Sequence, residues 1–359
     1  MWRIARWFLL AAAAWIGFWI AYGTLNDWRP KAGEITVLTN EGQGATEPVG
    51  DSLTLTTWNI GYGGMGAEVD FFYDKGGVFI SHGGTIIPPK ALVDKYTEGV
   101  KTFAATTKVD FMLFQEVDRR SKRSYFRDQF AEIASVLPQN SAHLAINYNV
   151  KQMPLPVFEP WHFYGTTYGG IATYSKYKPV EATRHQLPGE FGFPNRAFQL
   201  DRCLLIERFR TTKGKDLVII NIHNSAHDRD GSLKKQEMDY LKNVCLQEFQ
   251  KGNYVIVGGD WNECPPFFKF DALAAKNTEG ATQLNISPDM MPDGWQYIYD
   301  PATPTNRKAK FVYKKGETFE TVIDFYLISP NIRAEKVRVI AQDFQFSDHQ
   351  PVYASLFLN

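Results

Sequence analysis

The sequence predicts an α/β (or α+β) protein, and three observations support this fold class. Short apolar runs of strand character are separated by stretches in which apolar residues recur at helical spacing. Hydrophobic residues make up 44% of the 359 residues, which is enough for a large core. Most of the apolar runs also end in a polar residue that can bind a metal ion or move a proton. The length alone allows one large domain or two ordinary ones.

Charge and cysteine content exclude some classes of protein. The chain has 39 basic and 39 acidic residues, so its formal net charge is zero. This balance lacks the strong positive charge typical of a nucleic-acid-binding chain, although a local basic patch remains compatible with it. The only cysteines are Cys203, Cys245 and Cys264, and no two are spaced as a CxxC pair. A disulfide framework and a zinc site are therefore not expected.

Residues 1–27 are predicted to form a membrane anchor or a signal segment. Trp7 to Leu25 contains no charged residue, and nineteen such residues can cross a bilayer as a helix. The segment is longer than the usual apolar core of a cleaved signal peptide, which favours a retained anchor. The run Ala21-Tyr22-Gly23 also fits a small-x-small cleavage site, so a secreted or periplasmic protein remains the alternative.

Charge hardly distinguishes the two possible orientations of the apolar stretch, because two basic residues lie on each side of residues 7–25. An apolar segment that follows basic residues at the N-terminus is typical of export. We therefore expect the short N-terminus to stay inside and the rest of the chain to lie on the extracytoplasmic side. The flanking basic residues are Arg3, Arg6, Arg29 and Lys31.

The remaining chain divides into a linker and one long domain. Residues 28–52 are predicted to be a linker, because residues 40–51 are polar and glycine-rich. The domain, 53–359, begins with a strand at 53–58 that runs into Asn59. Further strands are predicted at 111–114, 170–174, 202–206, 217–220, 254–257, 322–328 and 351–357, helices at 90–107, 127–137, 232–250 (capped by Ser232) and 268–275, and a surface excursion at 65–89.

The strand at 254–257 leads into the most informative turn. Gly258 and Gly259 permit backbone angles and close approaches that a Cβ would block. Asp260 and Asn262 follow two positions apart, so a carboxylate and an amide can face the same cleft. Such a pair suits acid–base chemistry together with hydrogen bonding to a reacting centre.

Polar strand ends recur in a fixed order along the chain, and this ordered set resembles the endonuclease/exonuclease/phosphatase superfamily. Each tripeptide is a weak signal alone, whereas the ordered set is specific and spans roughly 53–359. The motifs are Trp58-Asn59-Ile60, Gln115-Glu116-Val117, Asn221-Ile222-His223, Gly259-Asp260-Trp261-Asn262, Ile323-Asp324-Phe325 and Ser347-Asp348-His349.

The resemblance implies a fold, a reaction and a set of roles. The fold is a four-layer α/β/β/α sandwich of two mixed sheets, and the reaction is Mg²⁺-dependent hydrolysis of a phosphate ester, with Mn²⁺ as an alternative metal. Oxygen ligands of this kind suit both ions. The implied metal ligands are Glu116, Asn59 through its amide oxygen, and Asp348. The implied catalytic residues are Asp260 on the attacking water, Asn262 on the developing charge, His349 on the phosphate, Asp324 orienting His349, and His223 near the leaving group.

The substrate stays open between two classes. The anchor and the neutral charge favour a lipid head group or a small phosphate ester. A nuclease is the alternative, favoured by His223 and by a basic loop directly behind Glu116. Arg119, Arg120 and Arg123 of this loop are candidate substrate-binding residues. The sequence at Asp324 lacks the Cys-Asp-Arg signature of the inositol 5-phosphatases, and no protein partner is evident.

Overall fold

The computed structural model describes residues 2–226, 228, 231–269 and 284–359. The helices in this part of the chain are α1 (Trp2–Leu25), α2 (Lys90–Thr106), α3 (Gln129–Ser135) and α4 (Ser232–Gln250). The strands are β1 (Ile35–Val37), β2 (Ser52–Asn59), β3 (Phe111–Asp118), β4 (Ser141–Met153), β5 (Gly165–Ser175), β6 (Glu181–Gln186), β7 (Cys203–Arg210), β8 (Asp216–His223), β9 (Tyr254–Asp260), β10 (Gln296–Ile298), β11 (Asn306–Arg307), β12 (Glu320–Thr321), β13 (Asp324–Ile328), β14 (Ile332–Val339) and β15 (Val352–Leu358).

The longer strands form two mixed sheets. The first sheet has seven strands in the order β1-β6-β7-β8-β9-β13-β10, and the second has six in the order β14-β15-β2-β3-β5-β4. Each sheet contains one parallel pair, β8 with β9 in the first and β2 with β3 in the second. The two parallel pairs lie near the centre of their sheets, where parallel strands are usually buried on both faces.

Hydrophobic clusters show that these sheets stack face to face between helices. Leu55 and Leu113 of the second sheet pack against Ile256 of the first in one buried cluster. On the outer face of the first sheet, α4 contributes Leu241 to a second cluster. On the outer face of the second sheet, α2 and α3 bury apolar side chains that include Ile133. The predicted four-layer α/β/β/α sandwich is confirmed.

Helix α1 is the one helix in the described chain that is long and apolar enough to cross a membrane. One face of it nevertheless contacts the domain. Trp15 Nε1 donates a hydrogen bond of 2.9 Å to the carbonyl oxygen of Val157, and the ring of Phe163 lies 6.3 Å from Trp15 and 5.1 Å from Trp19, centroid to centroid. Whether this helix is an anchor or a signal segment remains a prediction.

The segment expected to be a linker packs on the domain instead. Within 28–52, β1 pairs with β6 and extends the first sheet. Val49 is 1% exposed and belongs to the cluster between the sheets. The polar composition of 40–51 concealed the attachment at Val49, and β1 has only three residues, too few for a clear strand pattern.

Several elements differ from the predicted ones. β4, β6 and β14 were not predicted, because polar residues interrupt their apolar runs. In β4, for example, His143 and Asn147 are buried polar residues. Helix α4 has the predicted bounds, but Gly231 in the left-handed conformation precedes it, and Ser232 is its first residue rather than its cap. The helix predicted at 268–275 falls almost entirely outside the described residues.

Candidate active site

Three neighbouring strands of the first sheet place polar residues side by side. β8 ends at His223, β9 ends at Asp260 and β13 begins at Asp324, and the register pairs His223 with Asp260 and Asp260 with Asp324. The approach is close at Gly259, where a Cβ would lie 2.1 Å from the carbonyl oxygen of Ile222. Glycine is therefore required at this position to keep the three strands in register.

The second sheet brings Asn59 and Glu116 to the same edge. Asn59 ends β2 opposite Gln115 of β3. The next residue, Glu116, has a φ of +55° and lies where the pairing of β3 with β5 shifts register. Such an irregularity redirects a side chain out of the regular alternation. The Glu116 side chain is 26% exposed, in contrast to its fully buried neighbour Gln115.

Buried amides join the two sheets at and beneath this edge. Asn59 Nδ2 donates to Glu116 Oε1 at 3.2 Å and to Asp260 Oδ2 at 3.0 Å. Below it, Gln115 Nε2 donates to Asn221 Oδ1 at 2.7 Å, and Asn221 Nδ2 donates to a carbonyl oxygen of each of β3 and β5. Buried hydrogen bonds of this kind fix the relative position of the sheets. They therefore set the distance between Glu116 and Asp260.

The turn that precedes β15 brings His349 to the same place. Ser347 Oγ donates to the carbonyl oxygen of Asn59 at 2.8 Å, and Trp58 Nε1 donates to the carbonyl oxygen of His349 at 3.0 Å. Both bonds tie the turn to the end of β2. Asp348, between the two tied residues, faces the cavity described below.

Asp260 is the centre of the hydrogen-bond network. Its Oδ1 accepts from the backbone N–H of Asn262 at 2.9 Å, and its Oδ2 accepts from Asn59. The same Oδ2 lies 3.4 Å from His223 Nε2 and 3.7 Å from His349 Nε2. The residue is 1% exposed, and the two hydrogen bonds, one to each carboxylate oxygen, hold its carboxylate in one orientation.

His349 and Asp324 form a buried ion pair, with 2.8 Å between His349 Nδ1 and Asp324 Oδ2. Burial alone would lower the pKa of His349, but the carboxylates of Asp324 and Asp260 outweigh it and raise that pKa to about 10. Burial raises the pKa of Asp324 to about 6, and His349 opposes that rise. Between these values His349 is an imidazolium and Asp324 is a carboxylate.

The charge state of His223 differs from that of His349. Burial lowers its pKa well below the usual range, and the positive charges of Arg202 and His349 lower it further. At neutral pH His223 is therefore a neutral imidazole. Its Nδ1 is buried and has no hydrogen-bond partner among the described residues. A neutral ring can still donate one N–H to an oxygen atom.

A cavity of about 450 Å³ opens onto these groups. One end is lined by charged and polar side chains, including Glu116, Asp260 and His349. The remaining wall is largely apolar and aromatic, and it includes Leu155 and Phe198. The predicted site residues His223, Asn262 and Asp348 also line it. Asp324 and Asn59 do not line the cavity. Asp324 contacts His349, and Asn59 contacts the carboxylates of Glu116 and Asp260.

All the site motifs lie within the part of the chain that matches one known protein family. The profile of the Endonuclease/Exonuclease/phosphatase family matches residues 56–349 of the chain. This range begins just before Asn59 and ends at His349. The chain belongs to this family.

Solved structures of similar fold support the architecture. One is an endonuclease/exonuclease/phosphatase from Beutenbergia cavernae, with 17% identity, a TM-score of 0.55, and coverage of 86% of this chain and 72% of that one. A second comes from Bacteroides vulgatus, with 16% identity, a TM-score of 0.52, and coverage of 86% and 99%. A third is ANGEL2, described as a 2′,3′-cyclic phosphatase, with 13% identity, a TM-score of 0.51, and coverage of 92% and 99%. No curated protein matches the sequence.

Proteins of this family commonly use a divalent metal, and the oxygen-rich end of the cavity fits one. Burial raises the pKa of Glu116 and of Asp348, so a cation there would stabilise both charged forms. In the described chain Asp260, Asp324 and His349 also have ligand atoms within 4.8 Å of one another. A protonated His349 has no lone pair for a metal, so Glu116 and Asp348 are the better candidates.

Two predicted roles at the cavity are altered by the geometry. The Asn59 oxygen accepts from the N–H of Gly61 at 3.0 Å, whereas its nitrogen faces the carboxylates. Asn59 therefore acts first as a spacer between Glu116 and Asp260. Asn262 Nδ2 donates to the carbonyl oxygen of Asn224 at 2.8 Å, which leaves one amide N–H for a substrate oxygen.

The predicted basic substrate loop is mostly directed elsewhere. Arg119 pairs with Asp128 and Glu41, outside the cavity. Arg120 is exposed and lies over the ring of Tyr168, also outside it. Only Arg123 lines the cavity, and Asp118 binds its guanidinium through both carboxylate oxygens. Carboxylates therefore hold Arg119 and Arg123, and an aromatic ring holds Arg120, so the three cations do not converge on one site.

Sequence reasoning missed two residues at the cavity. Arg202 lines it while being only 8% exposed, and its Nε and Nη1 have no hydrogen-bond partner among the described residues. The side-chain amide of Asn306 lies 3.0 Å from His349 Nε2, and its oxygen must face that atom when His349 is an imidazolium, because both ring nitrogens are then donors. Arg202 directly precedes β7, where a charged residue beside an apolar strand is an ordinary pattern. Asn306 lies in a short strand pair that carries no strong strand signal.

Proposed function

We propose that this family member is a membrane-tethered, metal-dependent phosphoesterase that hydrolyses a phosphodiester of a lipid head group by attack of water. The observation that carries the proposal is the two-sided cavity. Its polar end holds Asp260 and His349, while its apolar wall includes Leu155 and Phe198. A lipid presents the same two parts, an anionic phosphate and an apolar tail. The ring of Phe198 also lies against Gly23 of α1.

The polar end supports hydrolysis by residues with separate tasks. Asp260 is the group best placed to orient a water molecule and accept its proton, because hydrogen bonds from Asn59 and Asn262 fix its carboxylate. The imidazolium of His349 donates a charged hydrogen bond to a phosphoryl oxygen, and the free N–H of Asn262 adds a second donor. Neutral His223 donates to the leaving-group oxygen rather than delivering a proton as a cation.

A divalent cation completes this arrangement. Glu116 and Asp348 would hold Mg²⁺, or Mn²⁺, with Asn59 behind them. When bound, the ion supplies positive charge that offsets the charge of the reacting phosphate. Arg202 contributes further, because a buried guanidinium with unpartnered N–H groups suits a phosphate oxygen.

The nuclease alternative has lost one of its two supports. In its basic loop, Arg119 pairs with Asp128 and Glu41 outside the cavity, and Arg123, which lines the cavity, is paired with Asp118. His223 remains compatible with either substrate class.

A substrate panel separates the two functions. The purified full chain in lipid nanodiscs would be supplied with Mg²⁺ and with sphingomyelin, phosphatidylinositol, inositol phosphates, plasmid DNA or RNA. We expect hydrolysis of a lipid phosphodiester that EDTA abolishes and added Mg²⁺ restores. Asp260→Asn is the matched inactive control, because it keeps the size of the side chain. Cleavage of DNA or RNA without turnover of any lipid would contradict the proposal.

A further inference from the structure

Two loops beside α1 expose an unusual number of large apolar side chains. Val78, Phe79, Ile80, Phe158 and Trp161 are 37%, 54%, 46%, 42% and 71% exposed. These five residues are called the apolar patch below. Contiguous exposed apolar residues of this size commonly mark a contact surface.

The patch is one fixed surface and not two independent loops. The backbone N–H of Val157 donates to the carbonyl oxygen of Val78 at 3.0 Å, and that of Phe158 to the carbonyl oxygen of Phe79 at 2.9 Å. The rings of Phe79 and Phe158 stack with centroids 5.8 Å apart. The two loops therefore present their apolar side chains together.

The carboxylate next to the patch is held by local hydrogen bonds. Glu159 lies between Phe158 and Trp161, and its Oε1 accepts from both the backbone N–H and the hydroxyl of Ser81, at 2.7 and 3.0 Å. Its side chain is 19% exposed. The patch can thus approach an apolar phase while this carboxylate stays largely covered and hydrogen-bonded.

The patch adjoins the middle of α1 and not its end. Val157, which accepts the hydrogen bond from Trp15, is the residue before Phe158. Residues 2–11 of α1 are exposed on all sides, whereas residues 12, 15, 16, 19, 20, 22 and 23 are wholly or partly buried. The contact with the domain therefore covers the second half of the helix.

This position has a consequence for depth in a bilayer. A spanning helix needs about 20 residues to cross the hydrocarbon core. The freely exposed part, residues 2–11, is only about 15 Å long at about 1.5 Å per residue. If α1 spans the membrane as docked here, part of its contacting half lies within the bilayer. The loops against that half then lie at the level of the lipids.

We propose that the apolar patch is a second membrane contact, inserted into the same bilayer that α1 crosses. Phenylalanine and tryptophan suit this depth, because aromatic side chains favour the membrane interface. The contact holds the catalytic domain against the lipid surface instead of leaving it to move freely on a tether. The occupant of the patch is lipid, and the inference rests on α1 being retained as an anchor.

The test places a fluorescent reporter on the patch in the full chain. Phe158→Cys and Trp161→Cys would each be labelled with NBD and reconstituted in vesicles that carry nitroxide-labelled lipids. The native thiols Cys203, Cys245 and Cys264 are buried, so labelling is selective. Lys336→Cys is the matched control, because this exposed residue lies on β14, at the opposite edge of the second sheet from β4.

At positions 158 and 161 we expect the NBD emission to shift to the blue and nitroxide lipids to quench most of it. At position 336 we expect neither effect. Emission at 158 and 161 that is as insensitive to nitroxide lipids as emission at 336 would overturn the proposal. Quenching of the patch only by a nitroxide on a second copy of the chain would also overturn it, in favour of self-association. Carbonate extraction of the same vesicles tests α1 separately, and no readout depends on turnover.

Discussion

The two histidines of the cavity have different neighbours and therefore different charges. His349 faces the carboxylates of Asp324 and Asp260, which stabilise its protonated form. His223 lies near the same Asp260, but burial and the charges of Arg202 and His349 keep it neutral. In the proposed reaction, one ring would serve as a cation for the phosphate and the other as a neutral donor.

The charge of His349 gives a pH prediction. The pKa of His349 is raised to about 10, so the active cation persists below that pH and is lost as pH rises through it. Asp324→Asn removes the nearest carboxylate, so the pKa of His349 should fall toward its ordinary value of about 6.5. We expect the alkaline limb of kcat/KM to move to lower pH. An unchanged limb in the variant would show that the cation is not required.

Arg202 gives a prediction that separates binding from stability. Arg202→Met removes the guanidinium that faces the cavity. A charged hydrogen bond is worth about 1.5–3 kcal/mol, so we expect kcat/KM to fall roughly 10- to 100-fold. Because two of its nitrogens are unpartnered among the described residues, the Tm should not fall. Arg119→Gln, which changes a cation outside the cavity, is the control and should retain kcat/KM. Equal losses in both variants would contradict the role of Arg202.

At the scale of elements, one ion pair adds to the apolar packing that attaches α4 to the first sheet. Glu248 of α4 accepts from both terminal nitrogens of Arg208 on β7, at 2.9 and 3.0 Å. Burial works to raise the pKa of Glu248, but hydrogen bonds from Arg208, Lys251 and Asn253 outweigh it and lower that pKa to about 2. Since α4 covers β8 and β9, this pair supports the strands that carry His223 and Asp260.

The depressed pKa predicts sensitivity to acid. A carboxylate with a lowered pKa adds stability that is present above its unfolded pKa of about 4.3 and is lost as pH falls toward the folded value of about 2. We expect Glu248→Gln to lower the Tm at pH 7 and to flatten the dependence of Tm on pH between these values. Thermal unfolding across that range measures the effect. A variant with the wild-type slope would show that other groups cause the acid transition.

Sequence patterns predicted the central elements and failed at the edges. β9 is buried along its whole length, so its apolar run is clear in the sequence. β14 carries a mixture of exposed charges and apolar residues because it is an edge strand, and no simple pattern marks it. The position of Glu116 was predicted by motif. The left-handed backbone that directs its side chain depends on pairing with β5, which is distant in sequence.

At the scale of the whole molecule, the order of polar strand ends was enough to predict that these residues meet at one edge of the sheets. It could not show which cations face that edge. Arg119 and Arg120 follow Glu116 closely in sequence but point away from the cavity, whereas Arg202 reaches it from β7. Nor could composition show that α1 docks on the domain, because Trp15 and Phe163 meet only in the folded chain.

In the proposed reaction Glu116 binds the metal on which hydrolysis depends. The most direct measurement is Mg²⁺-dependent turnover of the best lipid phosphodiester by the full chain and by Glu116→Gln, which keeps the size of the side chain but removes its charge. With folding unchanged by circular dichroism and Tm, we expect turnover to fall by several orders of magnitude and Mg²⁺ binding by calorimetry to weaken in parallel. Near-normal Mg²⁺-dependent turnover in Glu116→Gln would contradict the account.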